Sequence, residues 1–144
     1  MNTNKHKFLQ TCFGLMAAVL LLLASCTSHP DVPSSSKEAG CLPGIFPDYC
    51  GVTVPCNIAP LNFMLPAGEY EECVARITTP DGGQQTYGNG VKVQIPLAEW
   101  REMLSAAKGK SIKVEVWGRR VEGVKVVNGV KEGEWLAFTP FEIN

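Results

Sequence analysis

The amino-terminal apolar run constrains this chain most, because it decides how much of the sequence is left to fold. Lys5 and Lys7 precede an unbroken apolar stretch of about a dozen residues, 13–24, which rises about 18 Å as a helix and falls short of a roughly 30 Å hydrocarbon core. A basic start, a short apolar run and small residues are typical of a secretory signal. We therefore predict that residues 1–25 are a signal peptide, which leaves 119 of the 144 residues.

A cysteine stands directly after the predicted cleavage point. Leu23-Ala24-Ser25-Cys26 resembles the lipobox of bacterial lipoproteins. The resemblance implies cleavage before Cys26, thioether diacylation of its side chain and usually amide acylation, for example by palmitate. Several acyl chains form a stable anchor, since each buried methylene contributes about 0.8 kcal/mol. An ordinary signal peptide with a chance cysteine is the alternative.

The residues after Cys26 bear on its location and on the domain boundaries. Ser28 is the second residue after Cys26 and no acidic cluster follows at once, which by resemblance to Gram-negative sorting rules implies the outer membrane of the cell envelope. Residues 27–40 are small, polar and proline-bearing, and such segments cannot offset their ordering entropy. We expect a lipidated, flexible tether over residues 26–43 and a single β-rich domain over residues 44–144.

The charge of the mature chain excludes some partners. After residue 25 it carries 11 Lys and Arg against 14 Asp and Glu, a net charge of about −3, without a basic stripe. Nucleic-acid binding needs clustered cations and is disfavoured. We expect no transmembrane helix in the mature chain and no cofactor.

Short alternating segments dominate the predicted domain. Ile112, Val114 and Val116 alternate with polar residues, as expected for a half-buried strand. Residues 97–108 instead carry one apolar stripe at helical spacing, and Gly109 follows as a helix stop. About seven short strands predict a mostly-β, Ig-like or fibronectin-like sandwich of Greek-key type, with the helix in a connection between its two sheets. A small α+β sheet with one helix is the alternative.

Four cysteines remain besides Cys12 and Cys26. An even number in an exported domain suggests disulfides, and three pairings are possible among Cys41, Cys50, Cys56 and Cys73. Their spacing matches no common zinc pattern, and we predict no metal site. Buried free thiols are the alternative.

Histidine is missing from the predicted domain. His6 falls in the signal and His29 in the predicted tether. The commonest general base is thereby removed, and Ser-His-Asp and Cys-His arrangements are excluded. We predict a protein that is not an enzyme. A pair of carboxylates acting as in glycosidases is a weak alternative.

A candidate binding surface follows the second half-buried strand. Trp117 has the same parity as Lys113 and Glu115, so we expect its side chain to be exposed. With Arg119 and Arg120 it forms a candidate contact surface. A singly exposed aromatic without a role is the alternative.

Longer segments resemble a known module. Ile45-Phe46-Pro47-Asp48-Tyr49, Gly51-Val-Thr-Val-Pro55, Asn57-Ile-Ala-Pro-Leu-Asn-Phe63 and Ile95-Pro-Leu-Ala-Glu-Trp100 resemble the N-terminal module of Bacteroidetes lipoproteins with TolB-like (WD40-like) β-propellers. The similarity covers about residues 44–144. Members of that family continue into the propeller, which this sequence lacks, so no propeller or haem function is implied.

These features predict a membrane-anchored lipoprotein whose domain is a non-catalytic interaction module for another envelope protein. An envelope protein that binds a small ligand or glycan is one alternative. A truncated amino-terminal fragment of a larger propeller lipoprotein is another.

Overall fold

The computed structural model describes residues 29–121 and 133–144. The elements in this part of the chain, in order, are β1 (Lys37–Glu38), β2 (Phe63–Met64), β3 (Tyr70–Thr78), β4 (Gln84–Tyr87), β5 (Lys92–Val93), α1 (Leu97–Ala106), β6 (Ile112–Arg120), β7 (Trp135–Ala137) and β8 (Phe141–Ile143).

Six of these strands form the main sheet. Its order is β1-β7-β6-β3-β4, and β8 pairs with the same side of β6 as β7 does. The two nine-residue strands, β3 and β6, run antiparallel at its centre. β1 pairs with β7 in parallel, and the other pairs are antiparallel. β2 and β5 form a separate two-stranded sheet.

The inner face of the main sheet is apolar because the strands alternate. Ile112, Val114 and Val116 are at most 2% exposed, and their cross-strand partners Ile77 and Ala75 are equally buried. The helix α1 and the β2–β5 pair contribute to the core on this face, and Trp100 of α1 is fully buried. Its indole Nε1 donates to the carbonyl of Ile58 at 3.0 Å, so the one polar atom of the ring is satisfied.

The predicted class is confirmed: the described chain is mostly strand with one helix, and its sheets are open. The helix lies in the connection between the two-stranded sheet and the main sheet, as predicted. Because the smaller sheet has only two residues in each strand, α1 supplies much of the layer that faces the main sheet. This ten-residue helix is the longest described, and none in these residues is long and apolar enough to cross a bilayer.

The flexible tether expected over residues 26–43 is wrong where it can be checked, from residue 29 onwards. His29 and Pro30 are hydrogen-bonded to Thr86 at the β4 edge of the sheet, while residues 37–38 form β1 at the opposite edge. Pro43 is buried. Backbone pairing at a sheet edge needs no apolar side chains, so composition does not reveal it. The domain therefore begins by His29 rather than at residue 44.

From its two attachment points we infer that the segment between them crosses the outer face of the main sheet; we call residues 29–36 the strap. Four strand spacings separate β4 from β1, about 19 Å, and the seven steps from residue 30 to 37 can span about 24 Å. The inner face is filled by core residues, and the Thr86 side chain that bonds Pro30 lies on the outer face with Glu115 and Arg76. The cross-strand pairing aligns Val74, Trp117 and Ala137 with Glu38 of β1, so Val74 and Trp117 lie in the row of residues beneath this crossing.

Candidate functional site

The predicted acylation site, Cys26, and the signal before it lie outside the described residues. The first described residue, His29, is held at one corner of the domain. Its Nδ1 donates to the carbonyl oxygen of Thr86 at 2.8 Å, and its ring packs edge-on against Tyr87 at a centroid distance of 5.4 Å. Its Nε2 lies 3.9 Å from Oε2 of Glu99 near the start of α1. We call these four residues the His29 corner.

The premise that the folded domain has no imidazole is therefore wrong, because the strap brings His29 into the fold. Tyr87 donates to Oε2 of Glu99 at 2.6 Å. Burial, together with this bond to a carboxylate, raises the pKa of Tyr87. The proton of His29 Nδ1 is thus used in a bond to β4, and one oxygen of Glu99 is used in a bond from Tyr87 that joins β4 to α1. His29 and Glu99 are residue types that act as acid–base pairs in enzymes, but here their hydrogen bonds join parts of the fold to one another.

Trp117 has the parity that the sequence predicted, but it is only 8% exposed, so the expected exposure is wrong. The strap crosses its row, and the guanidinium of Arg76 lies over its ring, with Cζ 5.3 Å from the centroid. Arg76 in turn donates through Nε to Oε2 of Glu115 at 2.9 Å. Arg76 of β3 and the strap thus cover the indole of Trp117, although the outward-facing positions of β6 are otherwise polar.

Arg119 is the more accessible part of the predicted surface. Its Nη2 lies 2.7 Å from Oε2 of Glu72 and its Nε 3.2 Å from Oε1 of Glu71, and its side chain is 40% exposed. Its Cζ lies 5.9 Å from the centroid of the Trp135 ring. Arg119 therefore lies in a mixed patch of one cation, two carboxylates and an indole.

Arg120 does not join this patch through the contacts that it makes. It points to Tyr70, with its Cζ 5.7 Å from the ring centroid. Tyr70 belongs to the buried core. Of the three residues predicted to form one surface, Arg119 and Arg120 are partly exposed on different partners, while Trp117 is buried.

The four cysteines are all free thiols in the structure, so the disulfide that the even count suggested is absent. The reason is their placement. Cys73 lies in β3 and is buried, whereas Cys41 and Cys56 are exposed in separate loops and Cys50 is half-buried. Burial raises the pKa of Cys73 to about 12. Burial, with a contact to the Asp48 carboxylate, raises the pKa of Cys50 to about 11.

The described carboxylates are mostly engaged in local structure. Asp81 accepts from the hydroxyl of Thr79 at 2.5 Å and from Gly83 N at 3.3 Å, so it fixes the β3–β4 turn, and these bonds lower its pKa. Asp48 accepts from the backbone of Cys50 at 3.0 Å. Within residues 29–121 and 133–144, no group of three or more His, Cys, Asp or Glu side chains is placed to hold a metal ion.

A cleft that sequence reasoning missed lies along the outer side of α1. It has a volume of about 520 Å³, and Leu97, Arg101, Ser105 and Lys108 line it from the helix side. Cys56 to Ala59 form the other wall, and Leu97 is 48% exposed. The spacing of four and seven residues between Leu97, Arg101 and Lys108 is the signal that would have placed them on one helical face. The cleft therefore combines two cationic side chains, Arg101 and Lys108, with the apolar side chains of Leu97 and Leu104.

Comparisons of this chain with protein-family models, with curated proteins and with solved structures give no match.

Proposed function

We propose that this protein is a bacterial lipoprotein, anchored through acylated Cys26 to the outer membrane of the cell envelope, and that its domain is a non-catalytic module that binds another envelope protein. One observation supports the anchoring proposal: His29, the first residue that the structure describes, already contacts the domain only three residues after Cys26. Cleavage before Cys26 would therefore remove none of the described domain and would leave the acylated residue next to it.

The anchoring is tested by the intact mass of the protein extracted from the membranes of a Gram-negative host. We expect a diacyl or triacyl mass for a chain starting at Cys26. The matched control is Cys26→Ala, for which we expect no acylated species and no cleavage before residue 26. An unmodified protein in the soluble fraction would contradict the proposal.

The charges of the outer face support a protein partner over a polyanion. Glu115 neutralises Arg76 and lies 3.2 Å from Nζ of Lys113, while Arg119 lies against Glu71 and Glu72. A face of balanced charges offers little long-range attraction to nucleic acid, which needs uncompensated cations. Arginine and tryptophan, which meet at Arg119 and Trp135, are enriched in protein interfaces.

A photo-crosslinking amino acid in place of Glu72 tests this partner surface in intact cells. We expect a crosslinked product of one defined mass, identified as an envelope protein. The same amino acid in place of Glu102, exposed on α1, is the control and should not give that product. Crosslinks with the same products at both positions would contradict a specific surface at Arg119.

The cleft beside α1 supports a second candidate function, the binding of a small anionic ligand with an apolar part. Arg101 and Lys108 would pair with its anionic group, and Leu97 and Leu104 would contact its apolar part. Calorimetric titration with a medium-chain fatty acid tests this candidate. Binding that is abolished by Arg101→Ala but kept by Lys113→Ala would favour it, and equal weak binding by both variants would oppose it.

A further inference from the structure

The distance between Cys26 and the folded domain is set by the sequence and by the position of His29. Three Cα-to-Cα steps separate the two residues, and an extended chain covers at most about 10 Å in three steps. His29 is fixed by its hydrogen bond to Thr86 and its ring contact with Tyr87. The Cα of Cys26, to which any covalent lipid would be joined through its amine or side chain, is therefore held within about 10 Å of the Cα of His29.

The His29 corner lies at one extreme of the main sheet. β4 is an edge strand, and β1 forms the opposite edge about 19 Å away by strand spacing. The exposed side chains next to the corner include the uncharged amides Gln84 and Gln85, and the carboxylates Asp81, Glu99 and Glu102 line the same shallow cavity.

We propose that the acyl chains on Cys26 hold the β4 edge against the headgroups of the bilayer, so that the domain lies on the membrane in one orientation with its β1 edge turned away. This inference rests on the acylation proposed above. It replaces a flexible stalk with a contact, because the strap that composition would assign to a stalk is part of the domain. The partner of the β4 edge is then a phospholipid headgroup surface.

The test uses isotope-labelled acylated protein in nanodiscs of phosphatidylcholine that contain a lipid with a nitroxide on its headgroup. Backbone amide signals are compared before and after the nitroxide is reduced. We expect loss of the signals of Gln85 and Thr86 in the paramagnetic state, while those of Glu38 and Ala39 keep their intensity. Equal attenuation at the two edges would overturn the inference.

The matched control inserts 20 Gly and Ser residues between Ser28 and His29. A chain of that length has a mean span of about 25 Å, so the insertion restores a stalk without changing the domain. We expect the difference between the edges to disappear. If the difference persists, the orientation comes from the surface itself and not from the short connection, and the inference is overturned.

The two proposals fail separately. A protein whose mass shows no acyl chains contradicts the lipoprotein proposal and leaves nothing to hold the β4 edge. A protein that carries the acyl chains but shows equal attenuation at Gln85 and Glu38 leaves the lipoprotein proposal intact and overturns only the orientation.

Discussion

The hydroxyl of Thr86 donates a 2.6 Å hydrogen bond to the carbonyl oxygen of Pro30, although 56 positions separate the two residues. The contact attaches the strap to the edge strand β4, while β1 attaches its other end to β7. Between them the strap crosses the row that contains Trp117. This arrangement makes residues 29–38 part of the domain and, together with Arg76, accounts for the burial of Trp117 on a strand face that is otherwise polar.

We expect Thr86→Val in the non-acylated Cys26→Ala protein to lower the free energy of unfolding by about 1 kcal/mol, because the Pro30 carbonyl loses its donor at nearly constant side-chain volume. Urea denaturation measures this. Trypsin should also cleave after Lys37 faster, since the β4 end of the strap then keeps only the contacts of His29. Thr53→Val, at an exposed loop position, is the control and should leave both measurements unchanged. Unaltered proteolysis in Thr86→Val would show that the bond does not hold the strap.

We expect Gly118→Ala to destabilise the domain by about 1–3 kcal/mol, because the inner face of β6 has no room there. An added Cβ would lie 2.7 Å from Cδ1 of Leu65 and 2.8 Å from Cδ1 of Tyr70, both of which are buried. Thermal unfolding measures the effect. Gly68→Ala, where an added Cβ meets nothing within 4 Å, should change stability little. Equal melting temperatures for the two variants would contradict this packing.

Acid should lower the stability of the domain by protonating Glu115, whose side chain lies on the outer face of the main sheet. The hydrogen bond from Arg76 lowers the pKa of Glu115 from its ordinary 4.5, so the folded protein binds this proton less readily than the unfolded chain. The stabilisation is therefore full above pH 4.5 and is lost as the pH falls through the lower folded-state pKa. Between neutral pH and pH 3, Glu115→Gln should lose about 1 kcal/mol less stability than the parent protein.

Denaturation in urea at several pH values measures this difference. Glu102→Gln, exposed on α1, is the control and should keep the pH profile of the parent protein. A Glu115→Gln variant with the parent's profile would show that the pair with Arg76 does not contribute to acid sensitivity.

The four thiols should react with iodoacetamide in a fixed order at pH 8. Cys41 and Cys56 should react first because they are exposed. Cys50 should follow slowly, since its pKa is raised to about 11, and Cys73 should react only on unfolding, since it is buried with a pKa of about 12. Peptide mass spectrometry over time measures the order, and protein in guanidinium is the control in which all four react. A mass two units low before labelling would indicate a disulfide and contradict free thiols.

Local sequence patterns predicted the elements whose burial is decided by neighbouring strands and by the core. The helix begins at Leu97, as its apolar stripe indicated, and ends at Ala106, two residues before the predicted end at Lys108. The alternation of Ile112, Val114 and Val116 correctly predicted which face of β6 is buried in the core. These predictions succeed because side-chain period and burial coincide there.

The strap, β1 and the covered indole were not predictable in this way. Lys37 and Glu38 pair with β7 along the backbone, and their polar side chains give no sign of such pairing in the sequence. The burial of Trp117 depends on residues more than 80 positions earlier in the chain, so its parity was right and its exposure wrong. The cleft beside α1 needs the loop at Cys56 to Ala59 as its second wall, which no helical period reveals.

The parallel pairing of Lys37 with Leu136 has a consequence for when the domain becomes complete during synthesis. Residues 51–54 likewise share backbone hydrogen bonds with residues 142–144. A nascent chain that ends before β7 has no partner for β1 and no second attachment for the strap, whatever hairpins it has already formed. Closing so long a loop is entropically slow. Folding should therefore finish only after β7 and residues 142–144 have left the ribosome, and a chain that crosses a membrane during synthesis would do so before β1 has paired with β7.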